Sequence, residues 1–424
     1  MKINALFLLS LLFPSLGIAL PISEIRFEGN TSTRESVLRQ ELHIHEGEES
    51  DSQRIEASRQ AIMNLGLFKL VTSRLEQDGP SQQLIFTVEE RYYLLPIPLI
   101  GGNQEEGNYN YGLELRHDNL WGLNHRLKVV YENEKTVDDT LPLKREAKFN
   151  YSIPRFINTP YALGLQAGRV TEKVIELDDS LSFVTGSYHQ QVDSRSFSLA
   201  RWIEPKWSSQ GWLISGGAGV TEKSYHDQVG SGLLYQDSQT VTLNMGLGFN
   251  QVAEHPYHRD GTRYGYTLSI AQPRFGSDYS FTRHWLYYRR YQPLETIDAN
   301  INSQLRLGVA NGEAFSSPTY SIGNSSLLRG YENDYAKGNA LFLLNMEYHQ
   351  HITGYRQLRG VLFADMGNAW NEGRNIDIGD LHSGVGVGMR WRVQSFVDVT
   401  LRFDYARALS YDNNTLSLTT SASF

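Results

Sequence analysis

Past residue 92 the chain repeatedly alternates apolar and polar side chains, and this period of two restricts it to strands with one greasy face. Tyr109, Tyr111, Leu113 and Leu115 alternate with Asn110, Gly112, Glu114 and Arg116. Val241, Leu243, Met245, Leu247 and Phe249 alternate with Thr242, Asn244, Gly246 and Gly248, and the pattern returns at Val397, Val399, Leu401, Phe403 and Tyr405. A water-soluble sandwich also alternates, but it does not crowd tyrosines onto the apolar face of strands of about ten residues, the length that crosses a lipid core. A transmembrane antiparallel β-barrel does, with aromatics at its two interfaces. The mean hydropathy of -0.40 is consistent with this, because inward polar and outward apolar residues average out.

About sixteen strands are expected, an even number as in closed bacterial barrels. They start near residues 94, 109, 125, 145, 161, 195, 212, 241, 264, 281, 303, 341, 359, 384, 397 and 415. Short links such as NLWGLN, RFINTP and ITGYRQ read as turns on one side, and the segments 171–194, 221–240 and 311–339 as longer outward loops. The composition agrees, with Tyr 24, Phe 18, Trp 7 and Gly 37, while Cys 0 excludes disulfides and thiolate metal sites. A formal net charge of -8 argues against a nucleic-acid partner.

Two segments precede the barrel. Lys2, the apolar run Ala5 to Phe13 and the small residues Gly17-Ile18-Ala19 read as a signal peptide over 1–19, the run being too short for a spanning helix. Residues 20–91 then read as a small α+β unit in the order β-α-α-β-β. Ile25 and Phe27 mark a strand, and Ser32 with Glu35 has capping-box spacing before a helix carrying Val37, Leu38 and Leu42. Asp51 or Ser52 caps a second helix with Ile55, Ile62 and Leu65 on one face, and Gly66 stops it. Strands at 68–75 and 84–88 close the unit around Asp78-Gly79-Pro80.

The stretches FEGNTSTRESVLRQEL, Gly47-Glu48, NLGLFKLV and FTVEER make this unit resemble a POTRA domain. That resemblance implies a periplasmic module that binds extended polypeptide by adding a strand to its sheet edge, where unpaired backbone groups accept a new chain. A compact spacer is the plainer reading, and a single copy is compatible with it.

Residues 325–334, SSLLRGYEND, fall in the longest outward loop. An arginine there is ordinarily a solvated surface group. Glu347 and Asp365, however, stand on the two strands that follow, Glu347 with Asn345 and His349 on the expected inward face. If the loop folds into the lumen, the planar fork of Arg329 suits these carboxylates, Gly330 permits close passage with unusual dihedrals, and Tyr331 packs beneath. LLRGY resembles the sixth-loop signature of the BamA/TamA-type outer-membrane assembly and secretion superfamily, which includes the two-partner secretion transporters. The resemblance implies a tip at Arg329, Gly330 and Tyr331 docked inside the barrel wall, received by Asp365 with Gly367 and by Glu347. GVGVGMRW, LRFDYARAL and the terminal aromatic Phe424 extend the similarity over nearly all of the mature chain. The single POTRA unit departs from it, since assembly factors usually have several and two-partner secretors two.

Other motifs carry less. HIHE at 43–46 has metal-like spacing without a third ligand, and Asn30-Thr31-Ser32 is a sequon only in a eukaryotic secretory pathway. Gly384, Gly386 and Gly388 alternate along a strand, leaving room for a plug or loop rather than forming a dinucleotide site. No catalytic constellation, metal or cofactor site is expected, so the chain reads as a non-enzyme. Pro96 and Pro98 each remove a ladder donor from the first strand, which points to a weak seam between the first and last strands that opens to template a client strand. The expected function is insertion or translocation of client polypeptides at the bacterial outer membrane, with the unit 20–91 in the periplasm and the lipid bilayer as a partner. Export of one secreted partner, or a passive pore or scaffold, are the alternatives, and a periplasmic or lipoprotein accessory is left open.

Overall fold

The computed structural model describes residues 20–103, 108–136, 143–177, 184–203, 210–230, 235–312, 319–324, 326–371 and 376–420. The signal segment 1–19, Ser325 and Phe424 lie outside the described residues.

The N-terminal unit is a three-stranded sheet under two helices. Strand β1 (Ile22–Glu28) is followed by α1 (Glu35–Arg39), α2 (Ser52–Asn64), β2 (Phe68–Asp78) and β3 (Ser81–Glu90). The sheet order is β1-β3-β2, with β1 parallel and β2 antiparallel to β3. Ile22, Ile25, Val37, Leu38, Ile62, Phe68, Leu84 and Phe86 form its core. Asp51 caps α2 by accepting from the amides of Gln53 and Arg54, and Gly66 at φ 74° follows its C-terminus. The capping box expected at Ser32 and Glu35 does not form. Helix α1 begins at Glu35 after an Arg34 that makes no side-chain cap. Glu90, at the far end of β3, instead accepts from the Thr31 hydroxyl and from the amides of Ser32 and Thr33. A carboxylate distant in sequence has displaced the local one, which sequence spacing cannot reveal.

The second body is a sixteen-stranded antiparallel barrel. It begins with β4 (Leu94–Asn103), β5 (Asn108–Leu120), β6 (His125–Thr136), β7 (Lys144–Ile153), β8 (Tyr161–Leu177) and β9 (Val184–Trp202). It continues through β10 (Gly211–Gly230), β11 (Ser238–Glu254), β12 (Arg259–Ala271), β13 (Phe281–Leu294) and β14 (Ala299–Gly312). A two-stranded ribbon, β15 (Tyr320–Ile322) with β16 (Ala336–Gly338), interrupts it. The last five strands are β17 (Ala340–Ile352), β18 (Tyr355–Trp370), β19 (His382–Arg392), β20 (Thr400–Ala408) and β21 (Asn414–Thr420). All neighbours are consecutive except β14 and β17, which pair across the ribbon. Outward positions are apolar and uncovered, as at Leu362, Val387, Phe403 and Leu418. No helix among the described residues is long and apolar enough to cross a membrane.

Several boundaries differ from the sequence reading. Most of 171–194 and 221–240 is strand rather than loop, because β8 runs to Leu177, β9 starts at Val184 and β10 extends to Gly230. Toward their ends these strands lose the regular apolar alternation while the backbone ladder continues. Pairs such as Arg169 Nε to Asp193 Oδ1, at 2.6 Å, replace it. Strands β12 and β14 start at 259 and 299, a few residues before the expected 264 and 303. Strand β20 starts at Thr400, not near 397; Val397 is in the preceding turn and buried against the N-terminal unit.

That unit sits against the short-turn side of the barrel. Arg34 donates from its backbone to Gly122 O (2.9 Å) and from Nε to Trp121 O (3.0 Å), and Asn119 Nδ2 donates to Thr33 Oγ1 (2.9 Å). On α2, Gln60 Nε2 donates to Glu254 O and Asn64 Oδ1 accepts from Glu254 N, both at 2.9 Å. Buried Arg155 and Glu41 stand 3.6 Å apart.

Candidate functional site

The long connection between β14 and β17 turns into the lumen, and three local devices bring it there. The β15–β16 ribbon fastens its base. Asn324 Oδ1 accepts from the amides of Ser326 and Leu327, turning the chain before the tip. Leu328 and Tyr331 then enter an apolar cluster with Tyr320, Ile322, Leu341, Ala369 and Ala408. Burial of this cluster gives the loop a reason to leave solvent.

At the tip Arg329 is 1 % exposed. Its Nε and Nη2 grip the two oxygens of Asp365 at 2.6 and 2.7 Å, and its Nη1 donates to Glu347 Oε1 at 2.6 Å. The Arg329 amide adds a bond to Asp365 Oδ2 at 3.2 Å. Two parallel N–H···O bonds from one planar fork are the strong form of this pairing. The guanidinium also lies 3.5 Å from the centroid of the Phe363 ring.

Gly330 follows at φ 92°, where a Cβ would come within 2.6 Å of Ala408 N. Gly384 on β19 opens the wall at the same level, since a Cβ there would meet Arg329 O at 2.1 Å. Tyr331 is buried and donates its hydroxyl to Ser383 O at 2.8 Å, beside Tyr335, His382 and Tyr411.

Glu347, on β17, and Asp365, on β18, face inward with Asn345, which donates to Asp365 Oδ1 and to Leu327 O. The network reaches further than these three charges. Arg390 bridges Glu347 Oε1 (2.7 Å) and Asp404 Oδ1 (2.5 Å), Arg402 stands 3.3 Å from Asp404 Oδ2, and His349 Nε2 lies 2.8 Å from Glu347 Oε2. Arg329, Arg390 and Arg402 therefore balance Glu347, Asp365 and Asp404, all nearly inaccessible to solvent. Such charges persist in an interior only when paired and hydrogen-bonded. Sequence reasoning missed Arg390, Arg402 and Asp404 as site residues, although each occupies the polar phase of its strand; alternation says which way a charge points, not which loop it meets.

Pro96 and Pro98 are away from this network. They lie on β4, opposite Leu115 and Leu113 of β5. Among the described residues no ladder joins β21 to β4, and just before β4 an isolated bridge joins Tyr92 to Phe396 in the connection between β19 and β20. Among the described residues no group of three or more His, Asp or Glu could hold a metal ion.

Two family descriptions match the chain: an Omp85 superfamily domain over residues 119–418 and a POTRA unit, described as a surface antigen variable number repeat, over 20–91. Among solved structures, CdiB from Acinetobacter baumannii is similar with a TM-score of 0.63 at 16% identity, covering 96% of this chain and 74% of that one. CdiB from Escherichia coli gives 0.62 at 14%, covering 96% and 75%. BamA from Haemophilus ducreyi lacking POTRA domains 1-3 gives 0.53 at 17%, covering 95% and 83%. At these identities the likeness is one of fold.

Proposed function

Because the chain belongs to the Omp85 superfamily, an outer-membrane β-barrel family whose members handle client polypeptides, we propose that it inserts or translocates client polypeptides at the outer membrane. The POTRA unit receives clients in the periplasm and the barrel passes them on without enzymatic chemistry. The observation that carries this reading is the contrast between a wall fixed by a buried charge network and a seam with no ladder among the described residues. Arg329 locks β17 to β20 through a buried charge network, while β4, with Pro96 and Pro98, has no ladder to β21 among the described residues. A barrel built only to conduct has no use for that asymmetry; one that offers a free strand edge to a client does.

The POTRA sheet supplies a second free edge. Among the described residues no strand pairs with the outer side of β2, where Leu70 and Leu75 are exposed. An extended client can add there by backbone hydrogen bonds with little demand on sequence. Depletion of the protein followed by a census of outer-membrane and secreted proteins tests the reading. Loss of several barrel proteins marks an insertase, loss of one secreted protein marks a dedicated exporter, and an unchanged census rejects both.

A further inference from the structure

A cavity of about 370 Å³ lies where the barrel mouth meets the POTRA unit, bounded below by Asn64, Leu65 and Gly66. Four arginines line it, Arg126, Arg259, Arg263 and Arg289, against two carboxylates, Glu254 and Asp398. The carboxylates are already engaged. Glu254 bonds Arg259 and Arg392 at 2.5 and 2.9 Å, and Asp398 bonds Arg259 at 3.0 Å.

Among the described residues no carboxylate oxygen lies within 4.0 Å of Arg126, Arg263 or Arg289. The Nε atoms of Arg126 and Arg289 are also buried with no hydrogen-bond partner. Arg263 and Arg289 stand directly opposite each other on β12 and β13, a like-charge pairing that works against the sheet. Arg126, on β6, comes from a wall seven strands from β13, so the convergence is not a consequence of one strand's register. Arg126 and Arg289 thus each bring a buried Nε without a hydrogen-bond partner to one cavity from separate walls, and the exposed Arg263 adds a third guanidinium beside them, the arrangement of an anion site.

We propose that Arg126, Arg263 and Arg289 form a binding site for the carboxylate side chains of an acidic, extended polypeptide segment entering the barrel. This rests on the reading above, that the barrel handles polypeptide, and it names the chemistry that its mouth selects. A polypeptide suits the site because the space lies between the module proposed to receive clients and the lumen, and is walled by Trp202, Tyr287 and Tyr291 beside Gly248. Those groups accept an extended backbone with its side chains on either side. A formal net charge of -8 gives the chain no general attraction for an acidic segment, so loss of binding in the Arg→Gln variants is what ties it to this cluster.

The test is fluorescence anisotropy of dye-labelled decaglutamate with the full chain in detergent micelles, at low and raised salt, with inorganic phosphate and decaglutamine as competitors. The expected result is salt-sensitive binding, weakened about tenfold or more by Arg126→Gln, Arg263→Gln and Arg289→Gln together, with no competition from decaglutamine. Arg263→Gln alone, at an exposed side chain without an ion pair among the described residues, weakens it several-fold, which keeps the test open if the triple variant does not fold. The Lys versions at all three positions retain most of the affinity. Equal binding by the folded triple variant, or by Arg263→Gln where that variant alone folds, overturns the site. Displacement by phosphate at matched charge concentration overturns the polypeptide assignment. A structural role for the arginines predicts that their removal lowers the barrel's unfolding midpoint while binding persists, which also overturns the proposal. An unchanged proteome on depletion removes the transport reading but leaves this binding result standing; transport with no decaglutamate binding removes the site alone.

Discussion

Arg329 is the residue on which the lumenal network turns. Replacing it by Ala leaves Asp365 and Glu347 buried without their shared cation, a change that typically costs roughly 3–5 kcal/mol. Arg329→Ala should therefore lower the unfolding midpoint in detergent and the yield of folded barrel, read from the heat-dependent gel shift. Arg329→Lys should recover only part of the loss, since an ammonium cannot grip both oxygens of Asp365. A double-mutant cycle with Asp365→Asn should give a coupling above about 1 kcal/mol; a coupling near zero would mean the short contacts carry no stability. At this scale the sequence was informative where chemistry and spacing coincide. An Arg-Gly-Tyr tip followed by inward Glu347 and Asp365 could be read in one dimension. Asp404 and Arg390 could not, because their places in the network depend on how far the loop reaches across the wall.

At the level of elements, Glu90 shows how a strand end can organise a loop 57 to 59 residues away. Burial alone would raise its carboxyl, but hydrogen bonds from the Thr33 and Thr31 side chains and the Thr33 and Ser32 amides outweigh that and hold it below the usual carboxylate range. A depressed carboxylate contributes stability that is present above its unfolded value and lost as pH falls through its folded value. Glu90→Gln should thus loosen residues 31–34 at neutral pH by about 1 kcal/mol, the usual scale of a cap. The difference from the parent should fade on acidification below pH ~4. Hydrogen exchange at those amides, corrected for intrinsic rates, measures it, and a gap independent of pH would exclude the carboxylate as the cause. Strand existence and count followed from alternation, since each spanning strand must show lipid an apolar face. Strand ends did not. Outside the bilayer nothing forces alternation, so the 19-residue β9 and 20-residue β10 outrun their apolar signal.

For the whole molecule, the POTRA unit and barrel share a continuous interface at the mouth, with Val397 and Tyr93 completing the POTRA core. That contact was hidden in the sequence: Val397 reads as one more lipid-facing position, and only the fold shows that its turn meets the module. On the proposed function, a client taken up at the β2 edge passes this interface to reach the seam at β4, so the two sites should meet the same polypeptide. Photocrosslinking in the native membrane tests this most directly, with one probe at Leu75 on β2 and another at Leu99 on β4. Covalent adducts to a common set of polypeptides are expected from both positions. Adducts to lipid alone, or to unrelated proteins at the two positions, would contradict it.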